Sequence, residues 1–246
     1  MNNVTLVVTS CGRMDLLDQT LESLFETDWS EFEYKIIIED SGDQKNKDYI
    51  EHKYGHKFDL ILFNEKNIGK LKSIDKAYSF VKSKYIFHCE DDWFFHRKGF
   101  LNDSVEILES DKNISTVNLR SYYWDLKTYS KYVVSARRSV KCVHYYVIED
   151  NSKMPMNGFS LNPGLRRKSD ILDLGELSNI GAEYLLSSAF LKKGMHMVIL
   201  ENSAIAHLGW GRGLEDPGKQ SLIFKKLKNL IKSFLNIFGG NYHLHN

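Results

Sequence analysis

Two periods of apolar residues alternate along the first half of the chain. Positions 4–10, "VTLVVTS", form a β-branched run, and 16–25, "LLDQTLESLF", repeat Leu17, Leu21 and Leu24 at helical spacing. The same alternation predicts strands over 34–40 ("YKIIIED"), 59–64 ("DLILFN") and 85–89 ("YIFHC"), separated by helices over 44–54 and 69–84. The first of these helices is polar and weak. The second carries Leu71, Ile74, Ala77, Tyr78 and Val81 on one face. A helix over 100–110 and an extended segment over 114–120 follow. From 121 the pattern breaks into the aromatic stretch "SYYWDLKTYSKYVV", which reads as an irregular region covering a substrate. Periodicity returns with a helix over 182–194, stopped by Gly194, and a strand over 196–200.

Near-continuous apolar strands alternating with helices imply an α/β fold with a mostly parallel, Rossmann-like sheet and helices on both faces. Such sheets bind ligands at the carboxyl ends of their strands. Two acidic clusters fall at such ends: Glu39-Asp40 after the second strand, and Glu90-Asp91-Asp92 after the fourth. Right-handed crossovers place both on one edge. Adjacent carboxylates beside a core are costly without a positive partner. The triplet alone fits either a solvated loop or a divalent-metal platform; the second cluster on the same edge favours the metal.

Composition narrows the classes. The chain has 246 residues, enough for one large domain or two small ones, and 33 basic residues against 32 acidic give no reason to expect a nucleic-acid partner. Cys11, Cys89 and Cys142 are scattered, which argues against a disulfide framework or a thiolate zinc site. The N-terminus lacks the pattern of a signal peptide, and no apolar run approaches the ~20 residues of a spanning helix, so a cytoplasmic protein is expected.

Taken in order, "LVVTSCGRMDLLDQTLESL", "IIIEDSGD", "NIGKLKSIDKAY" and "YIFHCEDDW" resemble glycosyltransferase family 2, inverting enzymes of the GT-A fold. The resemblance runs from about residue 4 to 207, and 121–160 match no motif of it. It implies a metal-dependent transferase of the hexosyltransferase type, moving one sugar from a nucleotide-sugar to an acceptor hydroxyl. Polysaccharide or lipid-linked oligosaccharide biosynthesis would be its setting. Single-sugar addition is expected because the Q-x-x-R-W motif of the processive branch is absent.

The resemblance also assigns roles. Thr9 and Ser10 wall the nucleotide, Asp40 contacts the base, and Arg13, Asn67, Lys70, Glu90 and Asp91 belong to the donor site. Asp92 ligates Mn²⁺ or Mg²⁺, ions suited to one or two carboxylates plus phosphate oxygens. His207 is a further ligand or a packed histidine, and Arg212 a diphosphate contact or a surface arginine. Trp93 and Trp210 are acceptor-side aromatics, although a tryptophan beside a strand end fits a core equally well. Glu183 stands where the family keeps its catalytic acid and is the expected general base; the bland alternative is a first-turn acid favoured by the helix dipole. Ala182 replaces the acid that usually precedes it. "NPGLRR" (162–167) reads as an acceptor-side turn, with Arg166 and Arg167 as a solvated helix start.

Two other functions stay open: a nucleotidyltransferase, for which Gly12 and Arg13 are weak support, and a non-catalytic nucleotide-sugar-binding module, which the missing acid at Ala182 keeps in play. The expected domains are a transferase domain over 1–218 and a basic amphipathic helix with tail over 219–246. In 222–238 the apolar residues other than Leu222 fall on one side of a helix and Lys225, Lys226, Lys228 and Lys232 on the other. Such a helix fits docking on its own core, on a second subunit of an oligomer, or peripherally on the cytoplasmic face of a membrane.

Overall fold

The structure is a computed structural model that describes residues 3–127 and 132–209. Trp210, Arg212 and the segment 222–238 lie outside the described residues. Contacts divide the chain into a unit over Met1–Ala206 and a second over His207–Asn246. The first holds nearly every described element.

Its strands are β1 (Val4–Ser10), β2 (Tyr34–Glu39), β3 (Leu60–Phe63), β4 (Tyr85–Glu90), β5 (Trp93–Phe95), β6 (Ile114–Asn118), β7 (Tyr132–Val140), β8 (Val143–Asp150), β9 (Gly164–Arg167) and β10 (His196–Leu200). Nine of them form one sheet in the order β3-β2-β1-β4-β9-β6-β10-β8-β7. β3, β2, β1 and β4 are parallel neighbours, as are β6 and β10. Only β9 and β8 run against the rest. The expected mostly parallel sheet is what forms.

The helices are α1 (Met14–Phe25), α2 (Gln44–Tyr54), α3 (Lys70–Tyr78), α4 (Phe100–Ser110), α5 (Lys168–Leu172), α6 (Leu177–Ile180) and α7 (Glu183–Lys192). Alternation along the strands sends side chains to two cores. On one face Val4, Leu6 and Val8 pack with Leu17, Leu21 and Leu24 of α1, Ile50 of α2, and Phe100 and Ile107 of α4. On the other, Val7, Ile36 and Ile38 meet Ile74 and Ala77 of α3, Ile171 of α5 and Phe190 of α7. The parallel sheet is thereby covered on both sides, as its apolar strands require.

Three local outcomes differ from the sequence reading. The helix over 69–84 stops at Tyr78, and the chain reaches β4 through buried Ser83, whose hydroxyl bonds Thr5 Oγ1 at 2.7 Å. The irregular stretch after 121 contains a π-helical turn (Tyr122–Leu126) and then the long hairpin β7–β8. "NPGLRR" is no acceptor-side turn: it leads into β9, which inserts antiparallel between β4 and β6. At Gly164 a Cβ would come within 2.4 Å of the Val117 carbonyl oxygen, so only glycine allows that close pairing. Arg166 and Arg167 are therefore not solvated. Arg166 is fully buried, and Arg167 donates to the carbonyls of Leu108, Asp111 and Ile114.

Candidate active site

Register fixes the geometry of the acidic edge. β1 lies between β2 and β4, with Ser10 opposite Glu39 and Thr9 opposite Glu90. Both acidic clusters thus emerge at one end of neighbouring strands, as the crossover rule requires.

Beyond β1 the chain turns through Gly12, whose φ of +73° suits glycine and whose N–H donates to Glu39 Oε1 at 2.9 Å. This turn sets Arg13 at the start of α1, where its carbonyl accepts from Leu16 and Leu17. The Arg13 side chain crosses to the acids after β4. Its Nε and Nη2 bond Asp91, and Nη1 reaches Asp92 Oδ2 at 2.9 Å. Asp91 also accepts from the Ser10 hydroxyl and the Cys11 N–H, both at 3.3 Å. Burial pushes the Asp91 carboxyl up to about 6, even against the pull of Arg13. Burial likewise opposes the Arg13 charge, but Asp91 and Asp92 outweigh it.

Asp40 is buried and turned toward its own loop. Its Oδ1 accepts from Asn64 Nδ2 and the Ile68 N–H (both 2.9 Å), and Oδ2 accepts from the Gly69 N–H (3.0 Å). This carboxylate shapes the 64–69 loop that launches α3. Asn67, on that loop, donates to the Cys11 sulfur at 3.3 Å.

Lys70, the first residue of α3, joins the two halves of the site. Its ammonium lies 2.5 Å from Glu90 Oε1. Burial lowers its pKa, but the fields of Glu90, Glu183 and Asp92 raise it further, so the group stays charged. The side chain is still 47% exposed, so its ammonium meets solvent rather than the core. Glu183 opens α7, and its Oε1 accepts from the Ser160 hydroxyl (3.1 Å) and the Leu161 N–H (2.7 Å). Tyr132, at the start of β7, has its pKa raised first by burial and then by Glu183 and Asp150.

Trp93 is 2% exposed and packs in the first core, with the Arg120 guanidinium 5.4 Å from its ring centre. Its burial is what the core reading of this tryptophan expects. His207 begins the second unit. Among the described residues no three His, Cys, Asp or Glu side chains cluster as a metal cage. The hard oxygen donors of Asp92 and Glu90 at the strand end nonetheless fit Mn²⁺ or Mg²⁺ that is completed by phosphate oxygens and water. A surface cavity of about 640 Å³ lies between α3, α5 and α6, lined by Lys72, Asp75 and Leu172 among others and by none of the residues named for the site.

Sequence reasoning missed the supports: Asn64, Ser160, Leu161 and the buried Arg166. Arg166 donates to Tyr78 Oη and to the Asn162 and Gly164 carbonyls, beneath the loop that holds Glu183. A run of two arginines carries no signal of burial.

Solved structures with this fold are glycosyltransferases of the GT-A type. The mannosyltransferase PcManGT from Pyrobaculum calidifontis, in complex with GDP-Man and Mn²⁺, matches with a TM-score of 0.62 at 11% identity over 98% of this chain and 66% of that one. GalNAc-T7 with UDP, GalNAc and Mn²⁺ matches at 0.60 and 13% identity, covering 82% of this chain and 43% of that one. TarS 1–349 of S. aureus in complex with UDP matches at 0.53 and 17%, over 82% and 59%. The chain spans less than two thirds of the length of these proteins. The family model for glycosyl transferase family 2 matches residues 5–168, and the chain belongs to that family. No curated protein matches it by sequence.

Proposed function

We propose that the protein transfers one hexosyl unit from a nucleoside-diphosphate sugar to an acceptor hydroxyl with inversion at the anomeric carbon, in the building of a polysaccharide or a lipid-linked oligosaccharide. One observation supports the reading: the Lys70 ammonium, at the start of α3, lies 2.5 Å from Glu90 Oε1 at the strand end, and the fields of Glu183 and Asp92 act on the same ammonium. Thr9 and Ser10 wall the nucleotide in this reading, beside the 64–69 loop that Asp40 shapes.

In this reading Glu183 takes the proton of the acceptor hydroxyl while that oxygen attacks the anomeric carbon. The nucleoside diphosphate departs from the opposite face. Lys70 and Arg13 meet the charge that builds on it. Asp92 would hold Mn²⁺ or Mg²⁺, and the bound ion would supply neutralisation of the leaving diphosphate. Ser160 and the Leu161 N–H aim the Glu183 carboxylate. Segment 222–238 brings the enzyme to a membrane carrying the acceptor in this proposal.

Replacing Glu183 with Gln should lower kcat by ~10²–10⁴ with donor affinity nearly unchanged, read from steady-state turnover and donor binding. Near-normal turnover would place the base elsewhere. A product keeping the donor's anomeric configuration, read by NMR, would overturn inversion.

A further inference from the structure

We propose that Arg13 keeps the strand-end acids closed to a free divalent ion and admits the ion only together with a nucleoside diphosphate. This rests on the donor-site reading above. The guanidinium is a fork with two unequal ends. Toward Asp91 it is fixed: Nε and Nη2 grip a carboxylate that is also tied to the Ser10 hydroxyl and the Cys11 N–H and is 1% exposed. Toward Asp92 it makes a single bond through Nη1, at 2.9 Å. The second bond is the one that can be exchanged.

A free ion has little to gain at this edge. Glu90 is held by Lys70 at 2.5 Å, and among the described residues no three ligating side chains gather. Seating a divalent ion on Asp92 would break a charge-assisted bond in a poorly hydrated place and set two positive charges beside Arg13, with no anion to separate them. A diphosphate reverses the balance. Its oxygens complete the ion's shell and give the released Nη1 a new acceptor, while Asp91 keeps the rest of the side chain in position. Ion and nucleotide then bind cooperatively, each raising the affinity of the other by the same factor.

The test is calorimetry and Mn²⁺ electron paramagnetic resonance on the full chain, titrating Mn²⁺ alone and then with saturating UDP or GDP. The wild type should bind Mn²⁺ at least tenfold more tightly with nucleotide than without it. R13Q should bind Mn²⁺ alone at least tenfold more tightly than the wild type, and the gain from nucleotide should shrink. R13Q leaves Asp91 buried beside no cation, so the double variant R13Q/D91N repeats the measurement with the buried pair removed as a unit. Adding D92N should abolish the gained affinity. Equal affinity for Mn²⁺ alone in the wild type and both Arg13 variants would overturn the proposal. Failure of the wild type to bind UDP or GDP under any of these conditions would overturn the donor-site reading itself, and the gate with it.

Discussion

At the scale of single residues, the sequence showed which side chains carry charge at the edge but not which way they turn. Glu90, Asp91, Asp92 and Glu183 were legible because an acid at a strand end or helix start needs no tertiary knowledge to be placed. Arg166 and the inward turn of Asp40 were not, since burial of a polar group depends on partners far along the chain, such as Tyr78 and Asn64. His88 is the sharpest case. It is fully buried on β4, neither ring nitrogen has a hydrogen-bond partner among the described residues, and the Tyr78 ring meets it edge-on at 5.9 Å. Burial, then Arg166 and Lys70, hold its pKa well below 6.5. Because the folded value is depressed, the stabilising difference is complete above 6.5 and is lost as pH falls. His88→Leu should remove that loss. The variant should gain on the wild type, in denaturant midpoints between pH 7 and pH 5, by at most about 1.4 kcal/mol per pH unit below 6.5. Parallel pH profiles would show that His88 is not neutral in the fold.

At the scale of elements, 100–110 and 196–200 coincide with α4 and β10, whereas the striped helix over 69–84 ran six residues past its end at Tyr78. The β7–β8 hairpin escaped for two physical reasons. Most of β7 is half-exposed or exposed, so no strong core face marks it. Its tight turn is made by Lys141, at a φ of +50°, and Cys142, neither of which signals a hairpin as Asn-Gly would. The hairpin is fastened to the end of β10 by Glu201, which accepts two bonds from Arg137 (2.8 and 2.7 Å) and one from the Tyr146 hydroxyl (2.6 Å). Arg137 and then Tyr146 pull the Glu201 pKa down to about 2. A depressed carboxylate stabilises above its unfolded value near 4.5 and loses that contribution as pH falls through about 2. The melting temperature of the wild type should therefore fall more steeply between pH 5 and pH 2 than that of Glu201→Gln. The difference should be modest, because the Glu201 side chain is 26% exposed and its partner Arg137 more so. Equal slopes would mean that the cluster does not hold the hairpin in solution.

At the scale of the whole molecule, contacts divide the chain between Ala206 and His207, so the expected domain boundary at 218 falls inside the second unit. The first unit has its own two-sided core, so removing the remainder beyond Gly218 should leave it folded, with an unchanged circular dichroism spectrum and a cooperative melt. The segment 222–238 has nine apolar residues on one side of a helical projection, four lysines on the other and no acid. A face of that kind gains free energy either from protein or from lipid, and the two differ in what truncation does. If the segment covers protein, the truncated chain exposes apolar surface and should aggregate, whatever vesicles are present. If it lies on an anionic surface, each lysine near the lipid adds about 1 kcal/mol. The full chain should then co-sediment with anionic vesicles, release at high salt, and ignore neutral ones. The expected outcome is the second: vesicle binding by the full chain, none by the chain ending at Gly218, and equal solubility of both. Equal partitioning of the two forms on anionic vesicles would remove the membrane from the proposed function.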